Sequence, residues 1–134
     1  MSRQIYVNLA VNDLNKSVEF FTQLGFEFDP NFTDDNATCM IISAQAFVML
    51  LAGARFADFT SKAIVDATTH TEAILAVSAD SRAQVDELAD KALAAGGRPS
   101  NDPMDDEFMY GRSFQDLDGH LWEALYMEPS AVPD

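Results

Sequence analysis

Hydrophobic residues recur along the chain with two periods, and the switches between them mark out its elements. Ile5, Val7, Leu9 and Val11 alternate with Tyr6, Asn8 and Ala10, the two-residue period of a strand whose faces differ. This strand is predicted over residues 4–11. Asn12-Asp13 then offers a helix N-cap. Leu14, Val18, Phe20, Phe21 and Leu24 follow at helical spacing, and Gly25 is placed to end that helix in a left-handed conformation. Phe26 and Phe28 open a short strand that Pro30 breaks. Residues 37–43 and 46–51 read as two strands joined by a hairpin around residues 43–45.

The period is lost over residues 52–70, apart from a possible helical turn near Phe56–Phe59. A connection of this length is usually functional or joins two modules, and a linker is predicted at about residues 53–71. The pattern then resumes. Residues 72–79 read as a strand, and Ser81 with Gln84 forms a capping box. Val85, Leu88, Ala89, Ala92 and Leu93 make a helical apolar stripe that Gly96-Gly97 stops. A short strand near residues 98–100 precedes an acidic loop over residues 102–107. Strands over residues 108–115 and 121–127 flank Asp118-Gly119, a strong hairpin turn. The tail from Glu128 to Asp134 holds Pro129 and Pro133 and is predicted to fray.

The order is therefore β-α-β-β-β, linker, β-α-β-β-β. Residues repeat as well as elements. Leu9-Ala10-Val11 resembles Leu75-Ala76-Val77, and Phe47-Val48-Met49-Leu50-Leu51 takes the place of Leu121-Trp122-Glu123-Ala124-Leu125. The fold class expected is α+β, in one domain over residues 1–134. Module one spans about residues 4–52 and module two about 72–128. Duplicated halves of this kind often meet at a cleft.

Composition narrows the functions that such a fold could serve. The 134 residues suit one domain. Such a chain buries roughly two-thirds of its unfolded surface without needing disulfides or a structural metal. Hydrophobic residues make up 48% and charged ones 22%, an ordinary globular mix. No apolar run approaches the ~20 residues of a membrane span. The opening Met1-Ser2-Arg3-Gln4 lacks a signal-peptide core, and Cys39 is the single cysteine, so a cytoplasmic location is expected. The net charge of −14, from 22 acidic and 8 basic residues, argues against nucleic acid and anionic membrane surfaces as partners. It fits either plain solubility or a cleft that attracts cationic ligands. There is no Gly-rich phosphate loop, Cys-x-x-Cys pair, nucleophile elbow or His-Glu-x-x-His, which removes kinases, redox dithiols and zincins.

Val11-Asn12-Asp13-Leu14, Ser17-Val18-Glu19-Phe20-Phe21 and Leu24-Gly25-Phe26 resemble the opening of vicinal oxygen chelate proteins. Phe114-Gln115-Asp116-Leu117-Asp118-Gly119-His120-Leu121-Trp122-Glu123 resembles their close. The resemblance covers nearly the whole chain. That family includes glyoxalase I, extradiol dioxygenases, fosfomycin-resistance enzymes and metal-free bleomycin-binding proteins. The resemblance implies paired βαβββ modules whose mixed sheets curl around a ligand cleft, commonly in a homodimer. It also implies one inward metal ligand, His or Glu, from the first and last strand of each module. Counted from the motifs, those positions fall on Tyr6, Met49, Ile74 and Glu123. Only Glu123 is an ordinary ligand for a divalent ion, so no metal or other cofactor is predicted and a glyoxalase I mechanism is not expected. A two-residue slip, which keeps the same strand face, would substitute Glu72 or His70 for Ile74. That shifted set is the route by which a divalent metal remains possible.

The candidate site follows from these positions. Glu123 is the candidate catalytic acid or base, or else a carboxylate anchored by an Arg or Tyr. Tyr6, Asn8, Met49, Ile74, Tyr110 and Arg112 are the candidate ligand-binding residues. Tyr6 and Asn8 share a strand face and suggest a polar pocket, or two polar groups that satisfy each other. Arg112 either clamps a substrate carboxylate or pairs with an Asp or Glu of the chain. His120 belongs to the hairpin turn, Trp122 should face away from Glu123, and Cys39 reads as a buried, inert thiol. Met40, Met49, Phe47, Phe108, Met109 and Phe114 line a cleft or fill the core. The function expected is small-molecule binding without the usual metal. The alternatives are a metal-independent enzyme using Glu123, and a metal-dependent lyase or dioxygenase with shifted ligands.

Overall fold

The two periods of the sequence become two copies of one strand-and-helix pattern in the computed structural model, which describes residues 3–129. The first copy holds β1 (Ile5–Val11), α1 (Leu14–Gln23), β2 (Glu27–Asp29), β3 (Ala37–Ile41) and β4 (Ala46–Ala52). A five-residue helix, α2 (Gly53–Ala57), follows. The second copy holds β5 (Ile74–Ser78), α3 (Arg82–Ala94), β6 (Arg98–Pro99), β7 (Met104–Asp105), β8 (Met109–Gln115) and β9 (Leu121–Met127). The tail expected to fray lies, beyond Pro129, outside the described residues. The chain divides into two compact units, one ending at Asp66 and the other beginning at Ala67. This boundary falls inside the predicted linker. No helix among the described residues is long and apolar enough to cross a membrane.

The long helices begin where side chains can satisfy their first N–H groups. The Asp13 carboxylate accepts from the Lys16 backbone at 3.1 Å, and the Ser81 hydroxyl accepts from that of Gln84 at 3.1 Å. The Gln84 amide oxygen accepts from the Asp80 backbone at 2.8 Å, one residue ahead of the usual capping box. Gly25 leaves α1 at φ 101°, and a Cβ there would meet nothing. The backbone conformation, not crowding, is what calls for glycine.

Each unit carries a mixed sheet that is not closed. In the first, the order is β1-β4-β3-β2, with β1 parallel to β4 and the other pairs antiparallel. In the second it is β5-β9-β8-β6, with β5 parallel to β9 and β7 also paired to β8. The alternation of β1 buries Leu9 and Val11 on one face, with Met40, Val48 and Leu50 in register beside them. Phe20 and Phe21 of α1 complete that core, with rings edge to face at 5.0 Å. In the second unit Val85, Ala89 and Ala92 of α3 are buried with Phe114, Trp122 and Ala124.

Three expectations change. The strand predicted from Glu72 begins at Ile74. Pro30 does more than break β2: with Asn31 and Phe32 it forms a 3-10 turn capped by Asp29. The acidic loop contains a short strand, β7, paired with Gly111 and Tyr110. Its cause is Asp106, whose carboxylate accepts from the Phe108 and Met109 backbones at 2.8 and 2.9 Å. That tight turn brings Met104 and Asp105 back alongside β8.

Candidate functional site

In the first unit, side chains alternate between the face under α1 and the face turned away from it. Strand register sets two rows across the second face, Tyr6–Phe47–Ile41–Glu27 and Asn8–Met49–Cys39–Asp29. The Tyr6 ring is 50% exposed and stacks on Phe47, with centroids 4.9 Å apart and planes 14° apart. Its hydroxyl donates to Gln4 at 3.1 Å, and the Asn8 amide donates to the Tyr6 carbonyl at 3.3 Å. Met49 and Phe47 are half-buried. The structure thus brings Tyr6, Asn8 and Met49 to one face. Cys39 lies buried in the same row, and burial, followed by the nearby Asp29 charge, pushes its thiol pKa up. That is the environment of an inert thiol.

The second unit repeats the arrangement with different chemistry. Ile74 pairs with Leu121 and Ala76 with Glu123, just as Tyr6 pairs with Phe47 and Asn8 with Met49. Tyr6 and Met49 are therefore diagonal neighbours in one unit, and Ile74 and Glu123 are the same diagonal in the other. Ile74 is 60% exposed. The half-buried Glu123 lies between Ala76 and Ser113, and its carboxylate has no hydrogen-bond or ion-pair partner among the described residues. Ser113 is itself engaged, accepting from the Asn101 backbone at 2.7 Å. The side chains at the four positions that the family resemblance assigns to a metal are thus a phenol, a thioether, a hydrocarbon and one carboxylate. This set does not fit a divalent ion, which needs several nitrogen or oxygen donors.

Tyr110 and Arg112 do not join Glu123. Register places them with Phe114, Trp122, Ala124 and Tyr126 on the opposite face of the sheet, where they meet α3. The Tyr110 hydroxyl donates to Asp86 at 2.5 Å. The Arg112 guanidinium donates to Asp86 at 3.1 Å and Asp90 at 2.8 Å. The Tyr110 hydrogen bond, followed by Arg112, lowers the Asp86 pKa, and the same bond raises that of Tyr110. Arg82 lies 5.4 Å from the Tyr110 ring centre and holds Asp105 at 2.8 Å, which ties β7 to α3. The pairing of Arg112 with the chain's own carboxylates is one of the two readings of that residue.

The hairpin between β8 and β9 holds the feature that the sequence reading missed. Asp116, Asp118 and His120 bring three potential metal-ligand atoms within 4.8 Å of one another, so a metal is possible there. Two of the three, Asp116 and His120, already have structural work. One Asp116 oxygen accepts from the Asp118 and His120 backbones, both at 3.0 Å, and the other accepts from the Trp122 indole at 3.0 Å. Burial raises the Asp116 pKa, against the opposing pull of His120 and Trp122. The His120 Nδ1 meets Glu72 at 2.7 Å. This contact, together with the Ile74–Leu121 register, corrects the shifted set of His70, Glu72 and Glu123: no strand slip brings Glu72 into β5. His70 lies exposed beside the Thr69 hydroxyl at 2.8 Å. The available signal was Asp-x-Asp-Gly-His, in which an Asp can cap its own turn. Gly119 sits at φ 91°, and a Cβ there would come within 2.9 Å of the Ala67 carbonyl oxygen.

Comparison with known proteins agrees with this architecture. The model of the Glyoxalase/Bleomycin resistance protein/Dioxygenase superfamily matches residues 3–124. The hypothetical protein SA1046 of S. aureus is 29% identical, with a TM-score of 0.78 over 94% of this chain and 95% of that one. The fosfomycin resistance protein FosX of Listeria monocytogenes, solved with Mn(II) and sulfate, is 19% identical, with a TM-score of 0.70 over 97% and 94%. TioX of Micromonospora sp. ML1 is 21% identical, with a TM-score of 0.68 over 95% and 100%. No curated protein matches the chain.

Proposed function

The chain belongs to the Glyoxalase/Bleomycin resistance protein/Dioxygenase superfamily, and from that premise we propose that it binds a small molecule on the sheet faces turned away from its helices, without the family's usual metal. One observation carries the reading. At the strand positions where the family resemblance calls for donors, the chain presents Tyr6, Met49 and Ile74, and two of these are at least half exposed. Exposed apolar groups on a sheet face gain by covering themselves with a ligand. A homodimer, by family habit, belongs to the same proposal, and gel filtration tests it.

A thermal-shift screen against small oxygenated and aromatic compounds, with Mn²⁺, Ni²⁺ and Zn²⁺ as parallel arms, tests the function. A binder gains melting temperature with its ligand and returns that ligand unchanged. Stoichiometric tight metal, retained in protein purified without an affinity tag, overturns the metal-free reading. Metal uptake that disappears with His120→Ala would move the site to the β8–β9 turn.

The unpartnered carboxylate of Glu123 favours a second reading, in which it moves a proton on a bound substrate. Glu123→Gln separates the two. It abolishes turnover if Glu123 is the acid or base, and only changes affinity if the chain is a binder.

A further inference from the structure

We propose that residues 102–105 form a strap that lifts off β8 as a unit, and that the Arg82 guanidinium is the latch that holds it down. The device lies wholly in the second unit and stands apart from the binding function proposed above. Hydrogen bonds set its boundaries. At one end the Asn101 backbone is pinned to β8: it donates to the Ser113 hydroxyl at 2.7 Å, and that hydroxyl donates to the Asn101 carbonyl at 3.3 Å. At the other end the Asp106 carboxylate closes its own turn through the Phe108 and Met109 backbones, and the Asp106 backbone donates to the Met109 carbonyl at 3.0 Å. Between these anchors only Met104 and Asp105 pair with β8, and Pro103 has no N–H to offer. Every residue from Arg98 to Phe108 is exposed. A two-residue ladder in water, with no buried side chain of its own, belongs to the least stable part of a fold.

Three contacts of one side chain add to that ladder. Strand parity turns Met104 to the face that carries Glu123 and Asp105 to the face under α3. Arg82 is the first residue of α3. Its guanidinium donates to the Asp105 carboxylate at 2.8 Å and to the Asp106 carbonyl at 2.7 Å, and it lies 5.4 Å from the centre of the Tyr110 ring. Asp86, one turn along the helix, holds the Tyr110 hydroxyl in turn. A planar fork suits two acceptors at once, which a lysine cannot match. The latch is ionic, and its two side chains are 39% and 64% exposed, so dissolved salt weakens it. The Asn101 anchor is uncharged and keeps its hold. Opening the strap draws Met104 away from Gly111 and the half-buried Leu125. A Cβ on Gly111 would lie 3.8 Å from the Met104 Cβ and 3.2 Å from the Leu125 Cδ1. An ion pair on the helix side thus sets how much apolar surface is uncovered on the other side of the sheet.

Hydrogen–deuterium exchange of the full chain, read by mass spectrometry on peptides over the strap and over β9, tests the latch. Arg82→Ala leaves the strap's own sequence, and so its intrinsic exchange rates, untouched. At low salt it should speed exchange of the strap about fivefold, the scale of an exposed ion pair with a cation–π contact, and leave β9 as it was. Arg82→Lys should recover only part of the protection. In the parent protein, high salt should move the strap toward the Arg82→Ala rate while β9 serves as the reference, and in the variant salt should add nothing. A strap that exchanges at the same rate with and without Arg82 overturns the proposal. So does an acceleration of equal size in β9, because the strap then opens only with the whole unit. A parent strap that salt does not loosen overturns the ionic latch.

Discussion

The helix of the first unit brings large side chains to its core, whereas the helix of the second brings small ones. Phe20 and Phe21 of α1 are buried against aliphatic strands, among them Leu9, Val48 and Leu50. In the second unit the sheet supplies the bulk, through Phe114 and Trp122, and α3 answers with Val85, Ala89 and Ala92. The same topology is filled with the sizes exchanged between layers. A core needs a total volume at close packing, and either layer can provide it. A duplicated fold can therefore persist while its residues drift, and the same holds on the opposite sheet faces, where Tyr6 and Phe47 stand at the places of Ile74 and Leu121.

The comparison predicts equal vulnerability at opposite layers. Phe20→Ala in the helix of one unit and Trp122→Ala in the sheet of the other should each cost ~3–5 kcal/mol of unfolding free energy. Urea denaturation followed by circular dichroism reads both. A loss below ~1 kcal/mol at either site would mean that the neighbours collapse into the cavity and that the exchange of sizes is not what fills the core.

Next in size is the turn that holds Trp122 in place. Asp116→Ala leaves the Trp122 indole and the Asp118 and His120 backbones without their acceptor, for a loss of about 2–4 kcal/mol. Trp122 is the only tryptophan of the chain, so its fluorescence reports both the unfolding and any change in the native environment of the indole. A stability equal to that of the parent protein would show that water replaces the carboxylate without cost.

The small residues of α3 provide the converse test. Ala89→Leu adds volume to a helix face that lies against large sheet residues, and about 1–3 kcal/mol of destabilisation is expected. If Ala89→Leu is neutral, the second unit has room that its buried residues do not suggest.

Much of this architecture was legible because it follows from local periods. Alternation in β1, the Asp13 and Ser81 caps and the Gly25 stop depend only on neighbouring residues. So does the placing of Tyr6 and Asn8 on one face, since parity within a strand fixes sides; Met49, on β4, joins them only through the Asn8–Met49 register. What depends on contacts distant in sequence was not legible. Parity showed that Tyr110 and Arg112 share a side, but not that their side faces α3. That needed the Ser113–Glu123 register, and it separates them from Glu123. Likewise the sequence pattern held Asp116 and His120 without indicating that Asp116 would be buried, or that Glu72 would leave β5 to meet His120. The strand β7 was hidden because it owes its existence to the turn around Asp106 and not to any alternation of its own.

The smallest effects lie in the charged contacts that the second helix makes in place of large apolar ones. Arg112→Ala leaves Asp86 and Asp90 facing each other without their cation. Because those carboxylate side chains are 48% and 66% exposed, solvent screening limits the loss to ~1 kcal/mol. The same network fixes two pH dependences of opposite sign. Tyr110 has a pKa raised above 10.0 by its hydrogen bond to Asp86. Its contribution is whole below that value and is lost as pH rises through the higher folded pKa. Asp86 is lowered below 3.8 by the same bond. Its contribution is present above 3.8 and disappears as pH falls through the lower folded value. The difference between the alkaline ultraviolet titrations of the parent and Tyr110→Phe isolates this phenol from the other tyrosines. Asp86→Asn should bring its midpoint down, since a carboxamide oxygen is a weaker acceptor than a carboxylate. An unmoved midpoint would mean that burial, and not Asp86, holds the Tyr110 proton.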